Sequence, residues 1–131
     1  MVSYSVGVSP TTYLFIESAG FTEVVNRYFA GDEQYAEFQV QLADQPDKGN
    51  VIPGATPLRK LRWADRRRGA GKRGGLRVIY LHIEELRVIY LIDVYGKDEA
   101  DDLTSTEKKE LQALARTLRD ELKKRREMGN L

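Results

Sequence analysis

Five side chains between residues 60 and 97 have the types needed to stabilise charge on a phosphate group and to move a proton. They are Lys60, Arg62, Arg77, Tyr95 and Lys97. Arginine and lysine stabilise charge that develops on a phosphate, and a phenol or amine transfers a proton when neighbouring cations lower its pKa. This chemistry suits RNA cleavage by the 2′-hydroxyl, and it requires no metal ion and no other cofactor. We therefore treat the five residues as candidate catalytic groups.

The first of the elements that must position these groups is a strand predicted over residues 58–64. Its polar and apolar residues alternate with the period of two that a β-strand has. The alternation predicts that Lys60 and Arg62 lie on one face, while Leu61 and Trp63 point to the other and pack in the core. Base stacking by Trp63 is the less favoured alternative.

A hairpin is predicted to supply the remaining candidates. Residues 76–83 and 86–95 are rich in Val, Ile, Tyr and Leu, and a tight turn near Glu84 joins them. If this hairpin pairs with strand 58–64 in one antiparallel sheet, Arg77 at its start lies beside Tyr95 at its end.

Positive charge is concentrated around the first of these strands. Residues 58–77 contain nine Lys or Arg and one Asp, a net charge of +8 in a chain of 131 residues whose total is only +1. Such concentration is typical of proteins with a phosphate-bearing partner. The glycine-rich segment 65–75 predicts an exposed, mobile loop, for which a solvated loop without a partner is the alternative. Six cations are candidate RNA-binding residues: Arg59, Arg66, Arg67, Arg68, Lys72 and Arg73.

The first half of the chain predicts one strand and two helices. Residues 13–18 form a short apolar run. Thr22 is a suitable cap for a first helix that ends at Gly31. Asp32 is a suitable N-cap for a second helix that ends before Pro46. The two helices are predicted to pack on the sheet.

A long C-terminal helix completes the predicted domain. Thr104 and Glu107 match a capping box at its start. The order β-α-α-β-β-β-α predicts an α+β fold over residues 13–131, with two N-terminal helices packed on a small antiparallel sheet. Residues 1–12 are predicted to form a loose extension or a weak edge strand. An apolar stripe on the last helix consists of Leu111, Leu114, Ala115, Leu118 and Leu122.

Composition excludes several classes of function. The chain has no cysteine, so a disulfide framework, a thiolate nucleophile and a cysteine zinc site are excluded. The single histidine, His82, excludes a two-histidine metal site, and its phase with Val78 and Tyr80 favours a partly buried structural role. The sequence contains no apolar run long enough to span a membrane and no signal peptide, so we expect a cytoplasmic protein without membrane contacts.

Several motifs together resemble the RelE/ParE superfamily of bacterial toxins, and most closely its HigB-type branch. The likeness covers about residues 14–122. Its parts are an Ile-Pro-Gly turn at 52–54, the strand with alternating basic residues, a glycine- and arginine-rich loop, a Gly-Gly-x-Arg strand start at 74–77, and a Val-Tyr-x-Lys-x-Glu strand end at 94–99. The resemblance implies a RelE-like fold.

The same resemblance implies an activity and partners. The expected protein is the toxin of a type II toxin–antitoxin system, an mRNA interferase that enters the ribosomal A site and cleaves translated mRNA. A cognate antitoxin, often a helix-turn-helix protein, is expected to hold it inactive. Lys60, Arg62, Arg77 and Lys97 match the family's basic positions. Leu103 stands where RelE has a catalytic tyrosine, which leaves open whether Tyr95 serves instead.

Two other functions remain open at this point. A non-enzymatic, ParE-like toxin acts by binding gyrase or the ribosome, although the gyrase-poisoning branch lacks this basic cluster. A degenerate member pairs with a partner protein only to regulate transcription. New cleavage sites in mRNA after expression of the protein would distinguish the endoribonuclease from the binding toxin and from the regulatory protein.

Overall fold

The structure is a computed structural model, and it describes residues 2–6, 13–66, 75–97 and 103–131, with the backbone alone for residues 2–6. These parts of the chain contain six strands and three helices. The strands are β1 (Val2–Val6), β2 (Leu14–Ser18), β3 (Asn50–Val51), β4 (Arg59–Trp63), β5 (Leu76–Ile83) and β6 (Val88–Gly96), and the helices are α1 (Ala19–Tyr28), α2 (Asp32–Asp44) and α3 (Ser105–Glu127).

The strands form one sheet in the order β1-β2-β6-β5-β4-β3. The α+β class is therefore confirmed, and β4, β5 and β6 pair antiparallel as predicted. The prediction of an entirely antiparallel sheet is wrong, because β2 pairs with β6 in parallel. Parallel neighbours need a long connection, and here it runs through α1 and α2 and then through β3, β4 and β5. Of the two possibilities for the N-terminus, residues 2–6 adopt the edge strand, antiparallel to β2.

Helices cover both faces of the sheet. The face toward α1 and α2 buries a cluster that includes Phe21, Phe38 and Leu42 from the helices and Phe15 from β2. This confirms that the two N-terminal helices pack on the sheet. The opposite face packs against α3 through the last three residues of its predicted stripe. They are Ala115, Leu118 and Leu122.

The ends of the helices follow from local hydrogen bonds. α1 begins after Ser18, whose Oγ accepts a hydrogen bond from the Phe21 N–H at 3.0 Å, so Thr22 is not its cap. The Thr22 hydroxyl instead donates to the buried carboxylate of Glu17 at 2.7 Å. At α3 the predicted capping box between Thr104 and Glu107 is present in both directions. Among the described residues, no helix is long and apolar enough to cross a membrane.

The β5–β6 hairpin is joined as predicted but contains an irregularity. Its turn is a short 3-10 helix followed by Arg87 in the left-handed region, with φ of 53°. The register then shifts, because Tyr80 pairs with Leu91 while Ile79 pairs with Asp93. Ile92 is thus an extra residue, a β-bulge, and it lies just before the end of β6 where the candidate site begins.

Candidate active site

Three of the candidate catalytic residues form one row across the sheet. Arg77 pairs directly with Arg62 on β4 and with Tyr95 on β6. Residues directly opposite each other in antiparallel strands share a face, with Cβ atoms about 5 Å apart. The expected neighbourhood of Arg77 and Tyr95 is therefore confirmed. We call Arg62, Arg77 and Tyr95 the basic row.

The other two candidates flank this row. Lys60 lies two residues before Arg62 on the same face of β4 and pairs with Ile79. Lys97 follows β6, exposed, and its N–H donates to the Gly75 oxygen at 2.8 Å, just before β5 begins. All five candidates therefore lie at the same end of strands β4 to β6.

Rigid packing on the opposite face supports the row. Leu61 and Trp63 belong to the cluster under α1 and α2, and the Trp63 ring meets Phe38 edge-on at 5.1 Å between centroids. The predicted alternation of β4 is confirmed, and Trp63 is part of the core. The backbone beneath Lys60 and Arg62 is thereby held by a buried aromatic contact.

The candidate RNA-binding residues divide into three groups. Arg59 lies on the face of the sheet toward α1 and α2. Its guanidinium donates there to the backbone oxygens of Asp47 and Gly49 at 3.1 Å and 2.7 Å. Arg66 forms an exposed ion pair with Glu37 of α2 at 3.2 Å. RNA binding by either residue stays a prediction. The remaining four, Arg67, Arg68, Lys72 and Arg73, lie outside the described residues, as does most of the predicted loop.

The start of the predicted exposed loop differs from expectation. Asp65 is buried, with 1 % of its surface exposed. An ionised carboxyl is buried only where polar groups compensate it, and Asp65 has such an interaction. The segment therefore leaves β4 as part of the folded domain.

His82 lies in a polar cluster away from the basic row. Its side chain is 7 % exposed, and its Nδ1 and Nε2 atoms lie 2.8 Å from Asp47 Oδ1 and 2.7 Å from the Tyr13 hydroxyl. A carboxylate only accepts, so Nδ1 carries a proton and donates to Asp47, while Nε2 shares a hydrogen bond with the Tyr13 hydroxyl. The hydrogen bond from His82 holds the pKa of Asp47 below its usual value. The structural role predicted for His82 agrees with this setting, but its partners are too distant in sequence to have been predicted.

No known family model matches the chain. The likeness to the RelE/ParE superfamily therefore rests on the motifs quoted for it. Among the described residues, no group of three or more His, Asp or Glu side chains is placed to hold a metal ion. The geometry of the basic row is thus the main structural guide to function.

Proposed function

We propose that this protein is the toxin of a type II toxin–antitoxin system, a ribosome-dependent endoribonuclease of RelE-like fold. It cleaves translated mRNA in the cytoplasm, without a metal ion, and so inhibits translation. Its expected partners are the ribosome with bound message and a cognate antitoxin, for which a helix-turn-helix protein is the expected type.

The observation that carries this proposal is the register of Arg62 opposite Arg77. Like charges directly opposite each other on paired strands repel, and a phosphate bound over the pair would offset that repulsion. An RNA phosphate above the row would lie within reach of both guanidinium groups. Arginine suits this task because its planar group donates two parallel hydrogen bonds to phosphate oxygens.

The basic row and the two lysines beside it together offer the groups that the cleavage reaction needs: donors to the phosphate, a base and an acid. The 2′-hydroxyl oxygen attacks the adjacent phosphorus, and the bond from phosphorus to the 5′ oxygen of the next nucleotide breaks. The products carry a 2′,3′-cyclic phosphate and a 5′-hydroxyl. Arg62 and Arg77 stabilise the charge that grows on the phosphate. Tyr95 and Lys97 are the candidate bases for the 2′-hydroxyl proton, and Lys60 is the candidate acid for the leaving oxygen.

The test uses ribosomes paused on a message with a defined codon in the A site. After the purified protein is added, the 5′-hydroxyl ends of the message are mapped. We expect new ends within the A-site codon, and none when the same message is incubated without ribosomes. Arrest of translation without new ends would overturn the enzyme and leave a toxin that acts by binding. Inhibition of gyrase supercoiling would then identify the ParE-like alternative.

A further inference from the structure

A groove opens beside the basic row, between β6 and the first half of α3. Its volume is about 450 Å³. It lies beyond the end of β2, where the β-bulge of β6 brings two consecutive residues, Ile92 and Asp93, to its wall. Bulges re-aim side chains in this way and are frequent next to active sites.

The lining of the groove combines an apolar floor with an acidic rim. Leu114 is 41 % exposed, although it belongs to the apolar stripe of α3, because it faces the groove instead of the packed core. The apolar residues are Ile79, Ile92, Leu103, Leu111 and Leu114, and the acidic residues are Asp93, Glu107 and Glu110.

The acidic residues differ in how their carboxylates are used. Glu107 is occupied by the capping box, where its Oε1 accepts from the Thr104 N–H at 2.9 Å. Asp93 is exposed at the mouth of the groove, and the atoms packed around it raise the pKa of its carboxyl, opposed by a hydrogen bond from the Val94 N–H. Asp93 therefore offers carboxylate acceptors beside the apolar lining of the groove.

The groove and the row are adjacent on one face of the sheet. Asp93 lies two residues before Tyr95 on β6, about 6.7 Å along the strand. Lys60, Ile79 and Asp93 are paired in register as the next row of the sheet. A nucleotide whose phosphate lies over Arg77 would therefore have its base within reach of the groove.

We propose that the groove is a nucleobase subsite that accepts guanine. The two oxygens of the Asp93 carboxylate match the adjacent N1–H and N2–H donors on the Watson–Crick edge of guanine, and no other RNA base offers two adjacent donors there. The flat ring lies on the apolar side chains of Ile92 and Leu114. Other bases offer at most one donor on that edge, so they form fewer charge-assisted hydrogen bonds to Asp93 than guanine does. This inference rests on the proposed function for its RNA substrate.

The first test is direct binding, which does not depend on cleavage. Guanosine 5′-monophosphate and inosine 5′-monophosphate, which lacks the N2 amino group, are titrated into the protein and followed by NMR. We expect guanosine monophosphate to bind about tenfold tighter or more, since one hydrogen bond to a charged group is lost with inosine. Asp93→Asn should remove the difference, whereas Asp120→Asn, on an exposed turn of α3, should keep it.

The second test uses ribosome-bound messages that carry guanosine or inosine at each position of the A-site codon. We expect the parent to cleave the guanosine message about tenfold faster at one position, and Asp93→Asn to bring the two rates together.

Equal binding of both nucleotides by the parent overturns the guanine subsite. So does Asp93-dependent binding of a peptide of alternating lysine and leucine without any nucleotide binding, which would identify a protein-docking groove. Selective nucleotide binding without cleavage of any message would instead support the subsite and refute the ribonuclease.

Discussion

β5 carries a polar cluster at each end, and the two clusters differ in how their charges are matched. At its start, Arg77 lies opposite a second arginine, Arg62. Near its end, on the other face, His82 lies between Tyr13 and Asp47, with a hydrogen bond to each. The second cluster joins donors to acceptors of three segments, whereas the first places two guanidinium groups side by side, with Arg77 also donating to the Leu76 oxygen at 3.3 Å.

This difference separates a group that stabilises the fold from one that acts on a ligand. A satisfied network joins three distant segments, residues 13, 47 and 82, and contributes to stability. Two opposed guanidinium groups repel each other, and proteins depart from such local rules mainly at functional sites. The predictions below test this separation by measuring activity and stability together.

The largest effect is expected for Arg62→Ala. Ribosome-dependent cleavage should fall about 100-fold or more, as is typical when one donor to developing charge is removed. The free energy of unfolding should not fall, because the change removes a like-charge pair. Single-turnover cleavage rates and urea unfolding measure the two effects. Arg116→Ala, on an exposed position of α3, is the matched control and should change neither. A variant that loses stability and keeps its cleavage rate would assign Arg62 to the fold.

The opposite outcome is expected for His82→Ala. The change removes the hydrogen bonds of His82 to Tyr13 and Asp47, while Asp47 keeps its ion pair with Arg59 at 3.4 Å, so the free energy of unfolding should fall by about 1 to 2 kcal/mol. The cleavage rate of the folded fraction should stay at the parent level, because His82 lies on the far face of the sheet. His82→Gln, which keeps a donor and an acceptor, should lose less stability. Loss of cleavage in a fully folded variant would move His82 into the active site.

Asp47 should make the structural cluster sensitive to acid. Its pKa is lowered in the folded protein, first by the hydrogen bond from His82, so its ionised form stabilises the fold. This contribution is complete above the unfolded-state pKa of about 3.9 and is lost as pH falls through the folded-state value. Unfolding measured against pH should therefore show a gap between the parent and Asp47→Asn at neutral pH that closes below about pH 4. A gap that stays constant would contradict the role of the carboxylate.

Asp93 should show the reverse sign and the smallest effect. The atoms packed around the partly exposed Asp93 raise the pKa of its carboxyl in the folded protein, so ionisation destabilises the fold. Any stability from its neutral form is present at low pH and is lost as pH rises through the folded-state pKa. Asp93→Asn should therefore be slightly more stable than the parent at neutral pH, with the difference absent near pH 3. A less stable variant at neutral pH would show that Asp93 supports the fold.

Much of the fold could be predicted because its signals are local. The alternation of Lys60 and Arg62 with Leu61 and Trp63 placed β4 correctly, and the Thr104–Glu107 capping box located the start of α3. The parallel pairing of β2 with β6 could not be predicted, since nothing within either strand specifies its partner. The cap of α1 was misplaced because Ser18, a residue type preferred over Thr at this position, caps the helix one turn earlier, and the Thr22 hydroxyl donates to Glu17 instead.

The candidate active site was also partly predictable from local sequence signals. Arg77 and Tyr95 belong to one hairpin, so their proximity followed from its topology. Asp93 was missed because its exposure in a groove depends on the bulge at Ile92 and on the packing of α3, a distant element. The only sequence signal for this site was the single carboxyl of Asp93 within the otherwise apolar β6.

The most direct test of the central claim is the rate at which Arg77→Ala cleaves ribosome-bound message in a single turnover. Arg77 lies between Arg62 and Tyr95 in register, so its loss removes the centre of the row. We expect a fall of about 100-fold or more in the rate at which the folded protein produces 5′-hydroxyl ends. Urea unfolding of Arg77→Ala, compared with Arg116→Ala, corrects that rate for any loss of stability. An equally stable Arg77→Ala protein that cleaves at the parent rate would contradict this expectation.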